Sequence, residues 1–119
     1  MGAGETLKNY HPDMDIVAVE PYESPVMSGG EPGLHGIQGI GDGSKFVVDL
    51  NMVNKIITIK TNDAKEMSKR LTKEYGLFVG ISAAANVLGS LRYSQEKGKE
   101  DILTILCDRG ERYLSCLKE

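Results

Sequence analysis

Half of the glycines of this chain are concentrated in one short segment whose backbone could contact a ligand. Seven of the 14 glycines lie between Gly29 and Gly43, within the stretch PVMSGGEPGLHGIQGIGDG. Glycine in a folded segment costs conformational entropy, so it is favoured where the backbone takes a positive φ, turns sharply or approaches another group closely. We therefore expect this segment to carry function. The alternative is a long surface loop that packs on its own isoleucines.

Two other short segments combine small and polar residues, at positions 80–82 (GIS) and 107–110 (CDRG). A cysteine can act as a nucleophile when a base lies beside it, but neither His11 nor His35 is near Cys107 in the sequence. We interpret Cys107 as a small thiol that is buried or lines a pocket. The charged residues of this turn are interpreted as a salt-bridged group: Asp108, Arg109, Glu111 and Arg112.

Apolar runs and helical periodicity predict the elements that position these segments. Near-continuous apolar runs are typical of strands covered on both faces, and four occur: Ile16–Val19, Ile56–Ile59, Leu77–Val79 and Ile102–Leu106. Helices are predicted from Gly4 to Tyr10, from Thr61 to Gly76 and from Ser82 to near Gly98. Thr61 and Ser82 are both candidate helix N-caps.

This order of elements predicts an α/β fold, a three-layer sandwich with a mostly parallel sheet. Ligands of such sheets bind beyond the carboxyl ends of the strands, where the segments at 80–82 and 107–110 begin. The connection from Glu20 to about Asn51 is too long for an ordinary structureless loop. Its regularly placed apolar residues argue against disorder: Val26, Ile37, Ile40 and Phe46.

Composition and charge exclude several classes of function. The chain has 119 residues and a net charge of −3, which gives no electrostatic case for binding nucleic acid or an anionic membrane. It has no apolar run of transmembrane length, and we expect a cytoplasmic protein. Cys107 and Cys116 have neither the spacing nor the neighbours of a metal site, so we predict reduced thiols without zinc or disulfide.

Three motifs carry a resemblance to a known family. The segments VEPYESPVMSGGEPGLHGIQGIGDG, GLFVGISAAANVL and ILCDRGERYLS occur in this order in the cysteine synthase branch of the fold-type II pyridoxal-phosphate enzymes. The chain most closely resembles O-acetylserine sulfhydrylases, with cystathionine β-synthases as more distant relatives. The resemblance covers the whole chain but only the C-terminal part of that family's catalytic domain. We therefore expect residues 1–119 to lack the Schiff-base lysine and the phosphate-binding loop.

The resemblance implies roles for individual residues. The hydroxyl of Ser82 would bond the pyridine nitrogen of pyridoxal phosphate, with Gly80 and Cys107 lining the cofactor site. The substrate-closing loop would include Gln38, Gly39, Ile40 and Gly41. No catalytic residue is assigned within this chain. Lys45 lies in the glycine-rich loop without matching the anchoring motif, and we expect it to be solvated.

The activity implied by the resemblance is β-replacement, in which sulfide displaces the leaving group of an activated serine of the O-acetylserine type. The relatives form homodimers and engage serine acetyltransferase. Two alternatives remain: a cystathionine β-synthase type enzyme, whose nucleophile is homocysteine, and a truncated binding module without catalysis. We expect the isolated chain to be inactive. Ala83 and Ala84 stand where relatives usually have Ser-Gly, and two interpretations are open: their methyl groups are harmless helix formers, or they crowd the cofactor.

Overall fold

The computed structural model describes residues 2–40, 48–98 and 101–113 of the chain. It contains helices α1 (Gly2–Tyr10), α2 (Thr61–Tyr75) and α3 (Ile81–Lys97) and strands β1 (Val17–Pro21) and β2 (Lys55–Ile59). Short 3-10 turns occur at Val26–Ser28, Leu50–Met52 and Gly110–Tyr113. None of the described helices is both long and apolar enough to cross a membrane.

The two strands pair in parallel, which confirms the predicted α/β class with a parallel sheet. Their register places Val17 opposite Lys55 and Pro21 opposite Ile59. Asn54 fixes the start of the pair, because its Oδ1 atom accepts a hydrogen bond from the Ile16 amide at 2.8 Å. The β-branched residues of both strands suit this pairing because their side chains pack well on a pleated surface.

The helices largely follow their predicted boundaries. Helix α2 buries Ala64, Met67 and Leu71 as its periodicity predicts, whereas Tyr75 in the last turn is exposed. Both long helices end at left-handed glycines, Gly76 and Gly98, each with φ of 67°. The two predicted serine and threonine caps are wrong, because Lys60 and Gly80 occupy the N-cap positions.

Two of the four predicted strands do not form as such. Residues 102–106 belong to neither a helix nor a strand, and Leu103 and Ile105 are exposed. The run at 77–79 contributes only an isolated antiparallel bridge between Val79 and Arg109. A strand is stabilised by hydrogen bonds to a neighbouring strand, and in the described part of the chain β1 and β2 pair only with each other.

The buried side chains form two clusters on either side of helix α3. One joins the strands to the glycine-rich loop and contains Ile37, Ile57, Ile59, Ala64, Ile81, Ala85 and Tyr93. The other lies between α2 and α3 and contains Met67, Leu71, Val79, Ala83 and Ala84. Residues from the first turn of helix α3 therefore contribute to both buried clusters.

Helix α3 runs antiparallel to the strands. Near its middle, an added Cβ at Gly89 would lie 3.0 Å from Val19 Cγ2, and near its end the Tyr93 hydroxyl bonds Asp15, just before β1. Its first residue, Ile81, shares a cluster with Ile59 at the end of β2. The N-terminus of α3 therefore lies at the carboxyl ends of both strands.

The contact between Tyr93 and Asp15 predicts a pH dependence of stability. The hydrogen bond to Asp15, together with burial and the negative charge, raises the pKa of Tyr93 from 10.0 to about 12. A raised folded-state pKa gives stability that is present in full below the ordinary pKa and is lost as the pH rises through the folded value. We expect Tyr93→Phe to lower the free energy of unfolding by about 1 kcal/mol at neutral pH, because a hydrogen bond is lost.

Denaturant unfolding between neutral pH and the range above the folded pKa tests this expectation. The difference between the wild type and Tyr93→Phe should shrink as the pH rises from 10.0 towards 12. Tyr75→Phe is the matched control, because Tyr75 is 66% exposed, and it should leave the pH profile unchanged. Parallel pH profiles for wild type and Tyr93→Phe would contradict the role of this phenol.

Candidate functional site

Three segments converge at the carboxyl ends of β1 and β2, the edge predicted to bind ligand. The first follows β1 and includes the glycine-rich loop, the second is the start of α3, and the third is the turn at 108–110. Ile37 of the loop and Ile81 of α3 are both completely buried in one cluster. The Gly80 amide donates to the Asp108 carbonyl at 3.0 Å, which attaches the third segment to the second.

Ser82 is the second residue of α3 and is 5% exposed. The first helical hydrogen bond of α3 runs from the Ala84 amide to the Gly80 carbonyl at 3.1 Å, so Ser82 lies inside the first turn. Within the described residues, the Ser82 hydroxyl makes no hydrogen bond. The Ser82 hydroxyl is not one of the fully enclosed side-chain oxygens of the described structure, so it stays accessible to solvent or to a ligand. The position therefore allows a hydrogen bond to a ligand, whereas the N-cap itself is Gly80.

Gly80 and the 107–110 turn are joined by a short two-stranded contact. Besides the bond from Gly80, the Gly110 amide donates to the Phe78 carbonyl at 3.1 Å. Cys107, directly before this contact, is an exposed free thiol. The side-chain amide of Asn86 lies 3.5 Å from its sulfur. Cys107 is thus held beside helix α3, and its exposure rules out a buried thiol but leaves the prediction of a pocket-lining thiol untested.

The turn also contains the ion pair expected from its charges. Arg109 Nε lies 3.1 Å from Glu111 Oε1, with both side chains substantially exposed. An exposed pair of this kind contributes little to stability. Arg109 and Glu111 therefore have a structural explanation that requires no catalytic role.

The glycine-rich loop has a buried base and an exposed tip. Ile37 is 0% exposed, whereas Gln38 and Gly39 are exposed and Ile40 is half-buried. Gly39 has a φ of 93°, a conformation that side chains rarely allow. Gly41, the last residue assigned to this loop, lies outside the described residues. The burial of Ile37 and the packing of Ile40 on the same cluster agree with the packed-loop interpretation, and the substrate-closing role stays a prediction.

Two buried or half-buried carboxylates hold the chain between β1 and this loop. Glu20, 2% exposed, accepts a hydrogen bond from the Met27 amide at 2.7 Å and another from the Ser28 hydroxyl. Glu23 accepts bonds from the amide and the hydroxyl of Thr61. Sequence reasoning missed both acids. The available signal was the presence of these two carboxylates in a segment otherwise rich in small residues, which could have indicated that they anchor the backbone there.

Ala83 and Ala84 do not require space beside Ser82. Both are completely buried in the cluster between α2 and α3, together with Met67 and Leu71. Their methyl groups are accounted for by helix packing, which favours their interpretation as helix formers over crowding of a pocket.

Two further predictions concern residues that the structure does not describe and the metal-binding capacity of those that it does. Lys45, Phe46 and Cys116 lie outside the described ranges. Within residues 2–40, 48–98 and 101–113, no group of three or more His, Cys, Asp or Glu side chains could hold a metal ion.

Comparison of the sequence with known proteins identifies the family of this chain. A family profile described as "Pyridoxal-phosphate dependent enzyme" matches residues 1–108. A cysteine synthase from Staphylococcus aureus is 42% identical over 118 residues, which cover 96% of this chain and 37% of that protein. The chain therefore spans little more than a third of the length of this relative.

Solved structures of related enzymes are similar to this chain over a comparable share of their length. The chain is similar to a cysteine synthase from Entamoeba histolytica, with a TM-score of 0.91 and 40% identity over 96% of this chain and 35% of that one. It is also similar to an O-acetylserine dependent cystathionine beta-synthase from Helicobacter pylori, with a TM-score of 0.82 and 34% identity over 96% of this chain and 38% of that one.

Proposed function

Because this chain belongs to the pyridoxal-phosphate dependent enzyme family, we propose that it forms the C-terminal part of a cysteine synthase catalytic domain. The observation that supports the proposal is that Ile37 and Ile81 share one buried cluster, so that the glycine-rich loop packs against the residue directly before Ser82.

The residues present fit one side of a pyridoxal phosphate site. Ser82 would hold the pyridine nitrogen through its hydroxyl, while Gly80 and Cys107 would line the ring. When bound, the cofactor supplies an electron sink for chemistry at the carbon atoms of an amino acid. A neutral hydroxyl does not hold a proton on the pyridine nitrogen as a carboxylate would. Ser82 therefore favours elimination and replacement over transamination.

The glycine-rich loop would bind the substrate and exclude water. The residues assigned to closure, Gln38, Gly39, Ile40 and Gly41, would close over the amino acid once it is bound. Because Ile37 is completely buried and Ile40 packs against the same cluster, closure would move Gln38 and Gly39 more than their neighbours at 37 and 40.

The proposed reaction is replacement of the leaving group of an activated serine, of the O-acetylserine type, by sulfide. The second candidate is a cystathionine β-synthase type reaction with homocysteine, which the similarity to the Helicobacter pylori enzyme favours. The cysteine synthase proposal is preferred because the Entamoeba histolytica structure has the higher identity, 40% against 34%, and the higher TM-score. We further propose a homodimer, with serine acetyltransferase as a possible protein partner.

Substitution of Ser82 tests the proposal in the holoenzyme that contains this chain. Ser82→Ala should retain pyridoxal phosphate, because only one of the hydrogen bonds to the cofactor is lost. It should change the rate of acetate elimination by about three- to tenfold. Ser82→Asp should favour a protonated ring nitrogen and increase abortive transamination. Release of acetate from O-acetylserine measures elimination, and conversion of the cofactor to pyridoxamine phosphate measures transamination.

Ser90→Ala is the matched control on the same helix. The Ser90 hydroxyl donates to the Asn86 carbonyl at 2.8 Å and lies two turns beyond Ser82. It should leave both rates unchanged. If Ser82→Ala and Ser82→Asp eliminate acetate at the wild-type rate without new products, Ser82 does not contact the cofactor.

A further inference from the structure

A short hydrogen-bond relay connects helix α2 to the base of the glycine-rich loop. The Gly36 amide donates to Thr61 Oγ1 at 3.0 Å. The same hydroxyl donates to Glu23 Oε1 at 2.9 Å, and the Thr61 amide lies 3.2 and 3.1 Å from the two Glu23 oxygens. Three segments that are distant in sequence therefore meet at one threonine.

The chemistry of a hydroxyl fixes the direction of this relay. A threonine hydroxyl has one proton and two acceptor lone pairs. Since Glu23 accepts the proton, the lone pairs of Thr61 Oγ1 remain for the Gly36 amide. The carboxylate also lies at the N-terminus of the 15-residue helix α2, where negative charge is favoured. The Glu23 carboxylate thus determines that Thr61 acts as an acceptor toward the loop.

The relay acts on the part of the loop that does not face solvent. Ile37, the residue after Gly36, is completely buried, and its amide donates to His35 Nδ1 at 3.1 Å. Ile37 shares a cluster with Ile81, which directly precedes Ser82. Gln38 and Gly39, the next residues of the loop, are exposed. Gln38 and Gly39 are therefore an exposed pair between two packed residues, Ile37 and Ile40.

We propose that Thr61 and Glu23 are positioning residues that fix the base of the glycine-rich loop at Gly36, so that the exposed residues Gln38 and Gly39 are presented to the substrate from a defined position. This role rests on the function proposed above. Neither side chain is assigned contact with the cofactor or the substrate. Their effect passes through the Gly36 amide.

Hydrogen exchange tests the relay in the protein as it is produced. Thr61→Val replaces the hydroxyl with a methyl group of similar shape and removes both side-chain bonds, whereas Thr61→Ser keeps the hydroxyl. We expect the Gly36 amide to exchange about tenfold faster in Thr61→Val, relative to the Ala85 amide of α3, and within about twofold of wild type in Thr61→Ser.

Exchange at Gly36 that is unchanged in Thr61→Val would overturn the proposal. So would an equal increase at Gly36 and Ala85, because that result shows only a loss of overall stability. If Thr61→Val does not fold, Glu23→Gln gives the same test with a smaller change, since the neutral amide weakens the bonds that orient Thr61. Exchange at Gly36 should then rise about threefold, and an unchanged rate would again overturn the proposal.

Kinetics separate positioning from a purely structural role. In the holoenzyme, Thr61→Val should raise KM for the amino-acid substrate about tenfold with unchanged cofactor content, and Thr61→Ser should restore it. A wild-type KM with faster exchange at Gly36 would overturn the positioning role. A protein that binds no pyridoxal phosphate would instead contradict the proposed function, because the exchange result does not depend on the cofactor.

Discussion

Replacing Ile37 with alanine should lower the free energy of unfolding by about 2 to 5 kcal/mol, the range for removing a large aliphatic side chain from a core. Ile37 is completely buried and joins the loop to Ile59 and Ile81. Truncation leaves a cavity at the junction of the sheet, α3 and the loop, which the surroundings can fill only in part. Denaturant unfolding measures the loss.

Leu34→Ala is the matched control, because Leu34 is an aliphatic residue of the same loop that is 98% exposed. Its truncation should change the unfolding midpoint little. Equal effects of the two substitutions would contradict a packed base, since they would mean that Ile37 contributes no more than a surface side chain.

Gly33→Ala should also be strongly destabilising, by about 3 kcal/mol, because the added carbon cannot be accommodated without moving backbone. A Cβ at Gly33 would lie 2.2 Å from the carbonyl oxygen of Glu23. Movement of Glu23 would in turn disturb its hydrogen bonds to Thr61. We therefore expect both a lower unfolding midpoint and a changed amide chemical shift at Thr61.

Gly2→Ala provides the control for this substitution. No atom lies within 4 Å of a Cβ built at Gly2, and the residue begins helix α1, where alanine is favourable. Its unfolding midpoint should not fall. A Gly33→Ala protein with wild-type stability and an unchanged amide chemical shift at Thr61 would contradict the close approach of Gly33 to the Glu23 carbonyl.

The helices could be predicted because their signals are local. The spacing of Ala64, Met67 and Leu71, followed by Gly76, contains both the buried face and the end of α2. The caps were less predictable. Thr61 has the side chain of an N-cap, but its hydroxyl bonds Glu23 and Gly36, which lie 38 and 25 residues away.

Strands depend on partners, which a local apolar run does not reveal. Ile56–Ile59 and Ile102–Leu106 have the same character, yet only the first pairs with a neighbour in the described structure. Periodicity therefore indicates that a segment can form a strand. Which strand lies beside it is decided elsewhere in the chain.

The location of the candidate site could be predicted better than the hydrogen bonds that hold its segments in place. The rule that ligands bind at the carboxyl ends of parallel strands predicts a site at this edge, and the structure brings the start of α3 and the glycine-rich loop together there. The roles of Ser82 and of the loop tip came from family resemblance and remain predictions. The anchoring by Glu20 and Glu23 was missed because it depends on long-range bonds to backbone amides.

The proposed hydrogen bond from the Ser82 hydroxyl to the ring nitrogen of pyridoxal phosphate can be tested directly. The most direct measurement is the nitrogen chemical shift of ¹⁵N-labelled pyridoxal phosphate bound to the wild-type holoenzyme and to Ser82→Ala. We expect the ring-nitrogen resonance to move in Ser82→Ala and to stay in place in Ser90→Ala, with equal cofactor content in all three proteins. An identical resonance in the wild type and Ser82→Ala would contradict the claim.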